Sequence, residues 1–170
     1  MKRIFYILLA ALLTACGPQV YIDYDKEAAW PEYKGYQYYK DQDSGLNQLD
    51  EKRIIRVMDS VLQSKGYQRT DYNNIYINFY ADEVVSDSGK TIGIGLGTGG
   101  VGGSIGIPIG GPVINQSITI DVFKAGMDND MLWQAIVDDD YKESTTPEQK
   151  DLYYKRLIES ALKKFPPEKE

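Results

Sequence analysis

Three segments of the chain alternate apolar and polar residues with a period of two. In residues 20–25, Val20, Ile22 and Tyr24 point one way, and residues 75–80 and 118–122 repeat the pattern. This is the period of a β-strand that has one face in a core and the other toward water. The sequence therefore predicts a sheet with one buried face and one more polar face.

Two further segments are predicted to be strands. Residues 33–39 are rich in aromatic side chains and are interrupted by Gly35. Residues 131–137 follow turn-forming residues at 126–130, and this order is typical of the returning strand of a hairpin.

Two helices are indicated by capping residues and by apolar stripes at helical spacing. Asn47 can cap the first helix, and Gly66 can end it in a left-handed conformation. The second helix is predicted to begin with Thr146 as its N-cap, Pro147 at its first position and Gln149 three residues after the cap. The first stripe is Ile54, Met58, Val61 and Leu62, and the second is Tyr154, Leu157, Ile158, Ala161, Leu162 and Phe165.

The order of elements predicts an α+β fold with two layers. We expect a mostly antiparallel sheet with both helices on one face, in the order β-β-α-β-(Gly-rich hairpin)-β-β-α. Residues 20–170 are expected to form a single domain, which is large enough to bury a core.

A glycine-rich loop or hairpin is expected at residues 91–114, with arms that extend the sheet. Residues 97–102 also fit G-x-G-x-x-G, but the glycines and prolines that follow oppose the helix that a dinucleotide site needs. Glycines four apart, such as Gly93 and Gly97, are compatible with packing between membrane helices, but glycine density disfavours a helix here.

The N-terminus has the layout of an export signal. Lys2 and Arg3 precede an apolar run at residues 4–13, and Leu-Thr-Ala-Cys at 13–16 resembles the lipobox of bacterial lipoproteins. The resemblance implies that residues 1–15 are removed as a signal peptide and that Cys16 is lipidated, with residues 16–19 as a tether. The alternatives are a membrane-spanning helix, for which the run is too short, or a leader cleaved without lipidation.

Composition narrows the chemistry that the protein can perform. Without residues 1–15 the chain has 17 basic and 25 acidic side chains, so we expect no binding to nucleic acid and attachment to the membrane by acyl chains alone. The chain contains no histidine and its single cysteine is Cys16, which excludes Ser-His-Asp and Cys-His catalysis and zinc sites built on histidine or cysteine. We therefore expect no cofactor, no metal and no enzymatic activity.

Carboxylates are the remaining candidates for acid–base chemistry. Asp23 and Asp25 lie on one face of a predicted strand, and Asp121 lies on another. Residues 138–140 are three aspartates, and Asp128 and Asp130 flank a turn, but neither segment has the spacing of a calcium loop. Both acidic segments are explained as solvent-exposed ends of strands.

The order of these motifs resembles the bacterial envelope lipoprotein family known as domain of unknown function 4136. The resemblance rests on the lipobox and on residues 20–25, 33–36, 47–54, 62–67, 118–121, 132–133 and 164–167. It implies an α+β fold with a variable glycine-rich segment and brings no established activity or catalytic residue. Four positions match the family pattern: Asp23, Gly66, Asp121 and Trp133.

The functional expectation is a non-enzymatic, lipid-anchored binding or assembly module on the periplasmic side of the outer membrane, with an envelope protein or the cell wall as partner. One alternative is a carboxylate-dependent enzyme that acts on cell-wall glycans, which needs two acidic groups in one cleft. The other is an oligomer-forming structural lipoprotein that uses its glycine-rich segment as an added strand.

Overall fold

Six strands form one mixed sheet, and two helices cover one of its faces. The computed structural model describes residues 17–39, 43–86, 90–94, 105–109, 111–126 and 130–168. The strands are β1 (Gln19–Tyr24), β2 (Gly35–Tyr38), β3 (Gln68–Arg69), β4 (Ile75–Ser86), β5 (Lys90–Ile94), β6 (Ile105–Ile109), β7 (Val113–Lys124) and β8 (Met131–Lys142). The helices are α1 (Gln48–Ser64) and α2 (Pro147–Ala161), with short 3-10 turns at Trp30–Glu32 and Leu162–Lys164.

The strand order of the large sheet is β1-β8-β7-β4-β2-β3. The pairs β1/β8, β8/β7 and β7/β4 are antiparallel. β2 runs parallel to both β4 and β3. The parallel pairing of β2 and β4 follows from the connection between them, because α1 carries the chain back to the starting end of the sheet.

The core lies between the helices and one face of the sheet. From the sheet it takes the alternate residues that the sequence pattern predicts, such as Ile77, Phe79, Ile120 and Trp133, all at most 2% exposed. From α1 and α2 it takes Ile54, Met58, Leu62, Tyr154, Leu157, Ile158 and Ala161. The Phe165 ring packs against the rings of Trp30, Tyr67 and Trp133, with centroids 5.1–5.6 Å apart.

Both helices begin where the sequence predicts, and α1 also ends there. α2 ends at Ala161, so the last two residues of its predicted stripe, Leu162 and Phe165, lie in and just after the following 3-10 turn. The Asn47 side chain accepts hydrogen bonds from the backbone N–H groups of Leu49 and Asp50, and Thr146 and Gln149 form a reciprocal capping box. At the end of α1, Gly66 has a φ of +83°, and the N–H of Tyr67 donates to the carbonyl of Leu62 at 3.0 Å. The contacts at α1 form the Schellman arrangement that satisfies the last carbonyls of a helix.

A buried ion-pair cluster joins the two helices. Asp50 is 1% exposed, and its carboxylate contacts Lys150 Nζ and Arg53 Nη1, each at 2.7 Å, and the Asn47 amide at 2.7 Å. Burial acts to raise the pKa of Asp50, but the hydrogen bonds and charges of these neighbours outweigh it and hold the pKa below its ordinary value. The cluster therefore keeps this carboxylate ionised between α1 and α2.

The predicted α+β class, element order and placement of both helices are confirmed. The bounds differ in detail: β4 extends to Ser86, β7 begins at Val113, β8 extends to Lys142, and the short strand β3 was not predicted. β1 begins at Gln19, inside the expected tether. In the part that the structure describes, no helix is both long and apolar enough to span a membrane.

The glycine-rich segment forms a hairpin, but its arms do not join the large sheet as expected. β5 and β6 pair with each other in a separate antiparallel ribbon, from Lys90 opposite Ile109 to Ile94 opposite Ile105. The large sheet is extended instead by β4 and β7, each twelve residues long. The G-x-G-x-x-G match at 97–102 and Cys16, the residue expected to be lipidated, lie outside the described residues.

Candidate functional site

The face of the sheet opposite the helices carries three rows of aligned side chains. Each row crosses four strands in the order β1, β8, β7 and β4, and we call these twelve residues the open face. The rows are Asp23, Gln134, Asp121 and Asn78; Tyr21, Ile136, Thr119 and Tyr80; and Gln19, Asp138, Ser117 and Asp82. They share one face because residues directly opposite each other in a sheet point to the same side, and most of their neighbours along the strands are buried or partly buried on the helix side.

The first of these rows, which we call the polar row, contains only carboxylates and amides. Since neighbouring strands lie about 4.8 Å apart, the row is about 14 Å long. At its centre, Gln134 Nε2 donates a hydrogen bond to Asp121 Oδ1 at 2.8 Å. The row places two carboxylates, Asp23 and Asp121, on either side of an amide, at the same level of the sheet.

Asp121 is almost fully buried although no described helix packs on its side of the sheet. Its residue is 5% exposed, and Thr119, two residues away on the same face, is 6% exposed. Burial raises the pKa of the Asp121 carboxyl, and the hydrogen bond from Gln134 opposes this shift. The side chains around Asp121 therefore form a packed polar surface, in which this carboxylate is shielded from water.

Aromatic side chains flank the polar row on both sides. Tyr76 and Phe123 are paired across β4 and β7 next to the row, and the Tyr39 ring lies 5.0 Å from the Tyr76 ring and 5.8 Å from the Phe123 ring. On the other side of the row, Tyr21 is 58% exposed and Tyr80 is 36% exposed. A ligand on the open face would therefore meet tyrosine rings and planar polar groups together.

A surface pocket of about 260 Å³ opens at the β1 end of the polar row. It is lined by residues 23–25 and 131–134. Its side chains with polar groups are Asp23, Tyr24, Asp25 and Gln134, and its exposed apolar side chain is Met131, which is 47% exposed. No lysine or arginine lines it, so the described pocket offers hydrogen-bond acceptors but no cation.

Each carboxylate of the pocket accepts a hydrogen bond from a nearby backbone N–H group. Asp23 Oδ1 accepts from the N–H of Tyr24 at 2.9 Å, and Asp25 Oδ1 accepts from the N–H of Glu27 at 2.8 Å. These contacts fix the carboxylates at the end of β1. Asp121 does not line the pocket, so the structure brings Asp23 and Asp25 into one concavity and leaves the third predicted carboxylate on the adjoining flat face.

The ion pairs of the described residues lie away from the open face. They engage the acidic residues Asp50, Asp59, Asp139, Asp151 and Glu159. The four aspartates of the open face, by contrast, form no ion pair with any described residue, and its three rows contain no lysine or arginine. The open face is therefore acidic and electrostatically uncompensated.

The other positions that the sequence singled out lie at the following places in the structure. Trp133 is in the core, and Gly66 ends α1. Within the three aspartates at 138–140, Asp139 pairs with Arg156 and Asp140 accepts a hydrogen bond from Asn115 at 2.6 Å. Asp130 is exposed, and Asp128 lies outside the described residues. Among described side chains there is no group of three acidic residues arranged to hold a metal ion.

Sequence reasoning missed the amides and the threonine of the open face. Asn78, Thr119 and Gln134 each sit at a polar position of an alternating strand, which gave no reason to single them out. Their importance comes from strand order and register, which align them with Asp23 and Asp121. A known pairing of β1 with β8 would have been needed to find them.

Two solved structures resemble the fold. One is a crystal structure of a PDZ domain protein from Parabacteroides distasonis ATCC 8503, with a TM-score of 0.57 and 10% identity, which covers 99% of this chain and 41% of that chain. The present chain thus spans about two fifths of the length of that protein. The other is a dodecamer of a PelC point variant from Paraburkholderia phytofirmans, with a TM-score of 0.44 and 11% identity, covering 85% of this chain and 94% of that chain.

A comparison with curated proteins finds no match. The comparison with family models finds one over residues 20–167, described as Domain of unknown function (DUF4136). These residues include every strand of the sheet and both helices, so the match concerns the whole fold described above. The protein is therefore a member of the DUF4136 family, as its sequence motifs predict.

Proposed function

We propose that this protein is a lipid-anchored component of the bacterial cell envelope, attached through Cys16, that acts by binding a partner on the open face of its sheet. The lipobox-like residues 13–16 support the anchor. Since Gln19 already belongs to β1, only a few residues separate Cys16 from the folded domain. The domain would therefore be held close to the membrane surface.

The observation that carries the binding role is the open face itself. Four neighbouring strands present it, and its side chains include exposed tyrosines and aspartates without ion-pair partners among the described residues. Large aromatic rings at an exposed sheet surface are costly to hydrate and favour contact with a ligand. The helix side of the sheet offers fewer groups to a ligand, because its aromatic side chains are buried in the core.

The positions and hydrogen bonds of the carboxylates favour a binding role over catalysis. Asp23 and Asp25 share a pocket, but each gives one oxygen to a local backbone N–H. Asp121, whose pKa is raised as a catalytic acid requires, lies outside that pocket. Asp23, the carboxylate aligned with it, lies two strands away on the same face and does not oppose it across a cleft, whereas acid–base cleavage of a glycan needs such a pair.

The proposed location is the outer membrane, with the domain facing the periplasm. Gly17 follows the cysteine where an aspartate would favour retention in the inner membrane, and no acidic run follows it. The acidic domain has no electrostatic attraction to anionic lipid headgroups, so acyl chains would be its means of attachment.

Labelling in cells tests the anchor. Cells that produce the wild-type protein or Cys16→Ser are grown with labelled palmitate, and both proteins are followed by mobility and fractionation. We expect label and membrane association for the wild type, and an unprocessed, unlabelled precursor for Cys16→Ser. Entry of label into Cys16→Ser would contradict the assignment of Cys16.

Crosslinking in cells tests the binding role. After brief treatment with a general crosslinker, the lipidated protein is isolated from the membrane fraction, with Cys16→Ser as the control. We expect a partner that is recovered with the wild type and reduced with Cys16→Ser. Failure to recover any partner with the wild-type protein would contradict the proposal.

A further inference from the structure

We propose that the partner bound by the open face is a non-anionic glycan, whose sugar hydroxyl or amino groups donate to the polar row and whose ring faces stack on the flanking tyrosines. This inference rests on the proposed binding function and names the chemical class of the partner. It follows from three properties of the face: its hydrogen-bonding groups, its charge, and the order of its polar and aromatic rows.

The hydrogen-bonding groups call for a ligand rich in donors. Ionised Asp23 and Asp25 can only accept hydrogen bonds, whereas Gln134 and Asn78 can both accept and donate. A chain of sugars offers closely spaced hydroxyl groups of this kind along its whole length. The polar row, about 14 Å long, is long enough to contact several consecutive sugars.

The charge of the face excludes an acidic partner. The three rows contain four aspartates and no basic residue, and the pocket at their end adds Asp25 without a compensating cation. Uronic acids, phosphates and nucleic acids would be repelled by this surface. Neutral sugars and amino sugars both remain compatible, since hydroxyl and ammonium groups are both donors to carboxylates.

The order of the rows separates a glycan from a protein partner. A protein–protein interface has an apolar centre that is depleted of charge, with a polar rim. On this face the row of Tyr21, Ile136, Thr119 and Tyr80 lies between two polar rows that carry the four aspartates. Its tyrosines stand at its two ends and Ile136 is its only aliphatic side chain, so the face has no charge-depleted apolar centre. Sugars match this order, since their hydroxyls lie at the edge of the ring and their C–H groups stack on aromatic faces.

The pocket gives the glycan a place to end or to turn. Its volume of about 260 Å³ is on the scale of a single sugar unit, and it is continuous with the polar row through Asp23 and Gln134. Met131, 47% exposed, provides apolar surface, and Asp25 provides a second acceptor. We expect a terminal sugar or one branch to occupy it.

The test is a titration of the purified, lipidated full-length protein in a detergent without a sugar headgroup. The probes are hexamers of glucose, N-acetylglucosamine, glucosamine and galacturonic acid, together with hexalysine. We expect binding of at least one of the first three hexamers, and the contrast between the neutral hexamers and glucosamine identifies hydroxyl or ammonium as the main donor. We expect no measurable binding of galacturonic acid.

Matched variants locate the site. Tyr21→Ala and Asp23→Ala alter exposed side chains of an edge strand, and each should weaken binding at least tenfold. Tyr72→Ala removes a more exposed tyrosine, 93% exposed, from the loop between β3 and β4 and should leave the affinity unchanged. Circular dichroism confirms that all three variants keep the fold of the wild type.

Several results would overturn the inference. These are binding of hexalysine with no binding of any sugar hexamer, binding of galacturonic acid as tight as that of the neutral hexamers, or equal losses in Tyr21→Ala and Tyr72→Ala. If crosslinking in cells recovers a partner while no hexamer binds, the inference fails and the proposed function stands. If hexamers bind while palmitate labelling fails, the anchor is wrong and the inference stands.

Discussion

Gln134 donates a hydrogen bond to Asp121 at 2.8 Å, on the face of the sheet that the helices leave uncovered. The two residues are directly opposite each other on β8 and β7. Their contact places an amide against a carboxyl group that is only 5% exposed. The centre of the open face is therefore held in one arrangement before any ligand arrives, which lowers the entropic cost of binding.

Asp121→Asn is expected to stabilise the protein at neutral pH. Burial raises the pKa of Asp121, so the folded state binds its proton more tightly than the unfolded chain. Stability is therefore lost as pH rises from the ordinary value of 3.8 through the raised pKa, and the full cost of the charge is present above it. The asparagine keeps an acceptor for Gln134 and has no charge.

Thermal unfolding at a series of pH values measures this effect. The melting temperature of Asp121→Asn should exceed that of the wild type at pH 7, and the difference should shrink as pH falls below 3.8. Asp23→Asn, which changes an exposed carboxylate of the same row, is the control and should show little difference. A lower melting temperature for Asp121→Asn at pH 7 would show that its ionised carboxylate is stabilising.

Lys150→Met is expected to destabilise the protein by about 1–3 kcal/mol, because it removes one charged partner of a buried carboxylate. Asp50 keeps Arg53 and Asn47, so the loss is partial. The pKa of Asp50 is lowered in the folded state, so this stabilisation is present above 3.8 and is lost as pH falls through the lowered pKa. Urea unfolding at pH 7 and in acid measures both effects.

Lys155→Met is the matched control for this prediction. Lys155 and Glu159 form an ion pair at 3.9 Å in which both side chains are more than half exposed. Such pairs contribute about 0–1 kcal/mol. Equal destabilisation by Lys150→Met and Lys155→Met would show that burial of Asp50 does not strengthen its contacts.

Gly45→Ala should destabilise the protein more than Gly66→Ala. Both glycines have positive φ angles, +68° and +83°, so alanine at either position is strained by about 1–2 kcal/mol. A methyl group at Gly66 meets open space, whereas one at Gly45 lies 2.6 Å from the carbonyl oxygen of Ala81. Only Gly45→Ala therefore forces the loop before α1 away from β4.

Chemical denaturation of the three variants Gly17→Ala, Gly45→Ala and Gly66→Ala measures the order of their losses in stability. Gly17 is exposed and has no close neighbour, so its substitution should have no effect. A loss in Gly66→Ala equal to that in Gly45→Ala would mean that the backbone angle alone decides the cost.

Phe165→Ala is expected to cost about 3–5 kcal/mol, the range for removal of a buried aromatic ring. The ring contacts both tryptophans of the chain, Trp30 and Trp133. Denaturant unfolding followed by tryptophan fluorescence should show a lower midpoint and a changed emission of the folded state. Leu152→Ala, at a position 69% exposed on α2, is the control, and a comparable loss there would contradict the placement of the core.

Local patterns predicted most of the fold. Alternation identified the faces of β1, β4 and β7, the preceding turn residues indicated β8, and capping residues such as Asn47 and Thr146 fixed the starts of the helices, because these signals depend on neighbours in the chain. The short strand β3 escaped prediction, and so did the separation of the predicted hairpin arms, β5 and β6, from the large sheet. Both features depend on which strands meet in space, and glycine-rich strands specify pairing weakly.

The candidate site was predictable only in part. Asp23 and Asp121 were singled out as acidic residues on strand faces, but they are 98 positions apart in the chain and only the β1-β8-β7 order aligns them with Gln134. Asp25 and Gln134 are likewise joined by the pocket and not by any sequence motif. Long-range register carries this information, and it leaves no periodic signal in the sequence.

The most direct test of the account places a photoreactive phenylalanine analogue, one site at a time, at the positions of Tyr21 and Tyr80 on the open face. The same analogue at the positions of Leu152 on α2 and Tyr72 between β3 and β4 provides exposed controls away from it. After illumination of living cells, the membrane fraction is examined for adducts of the protein. If a partner binds on the open face, adducts form from the Tyr21 and Tyr80 positions and none form from the controls. Adducts from the Leu152 or Tyr72 position alone would contradict binding on this face.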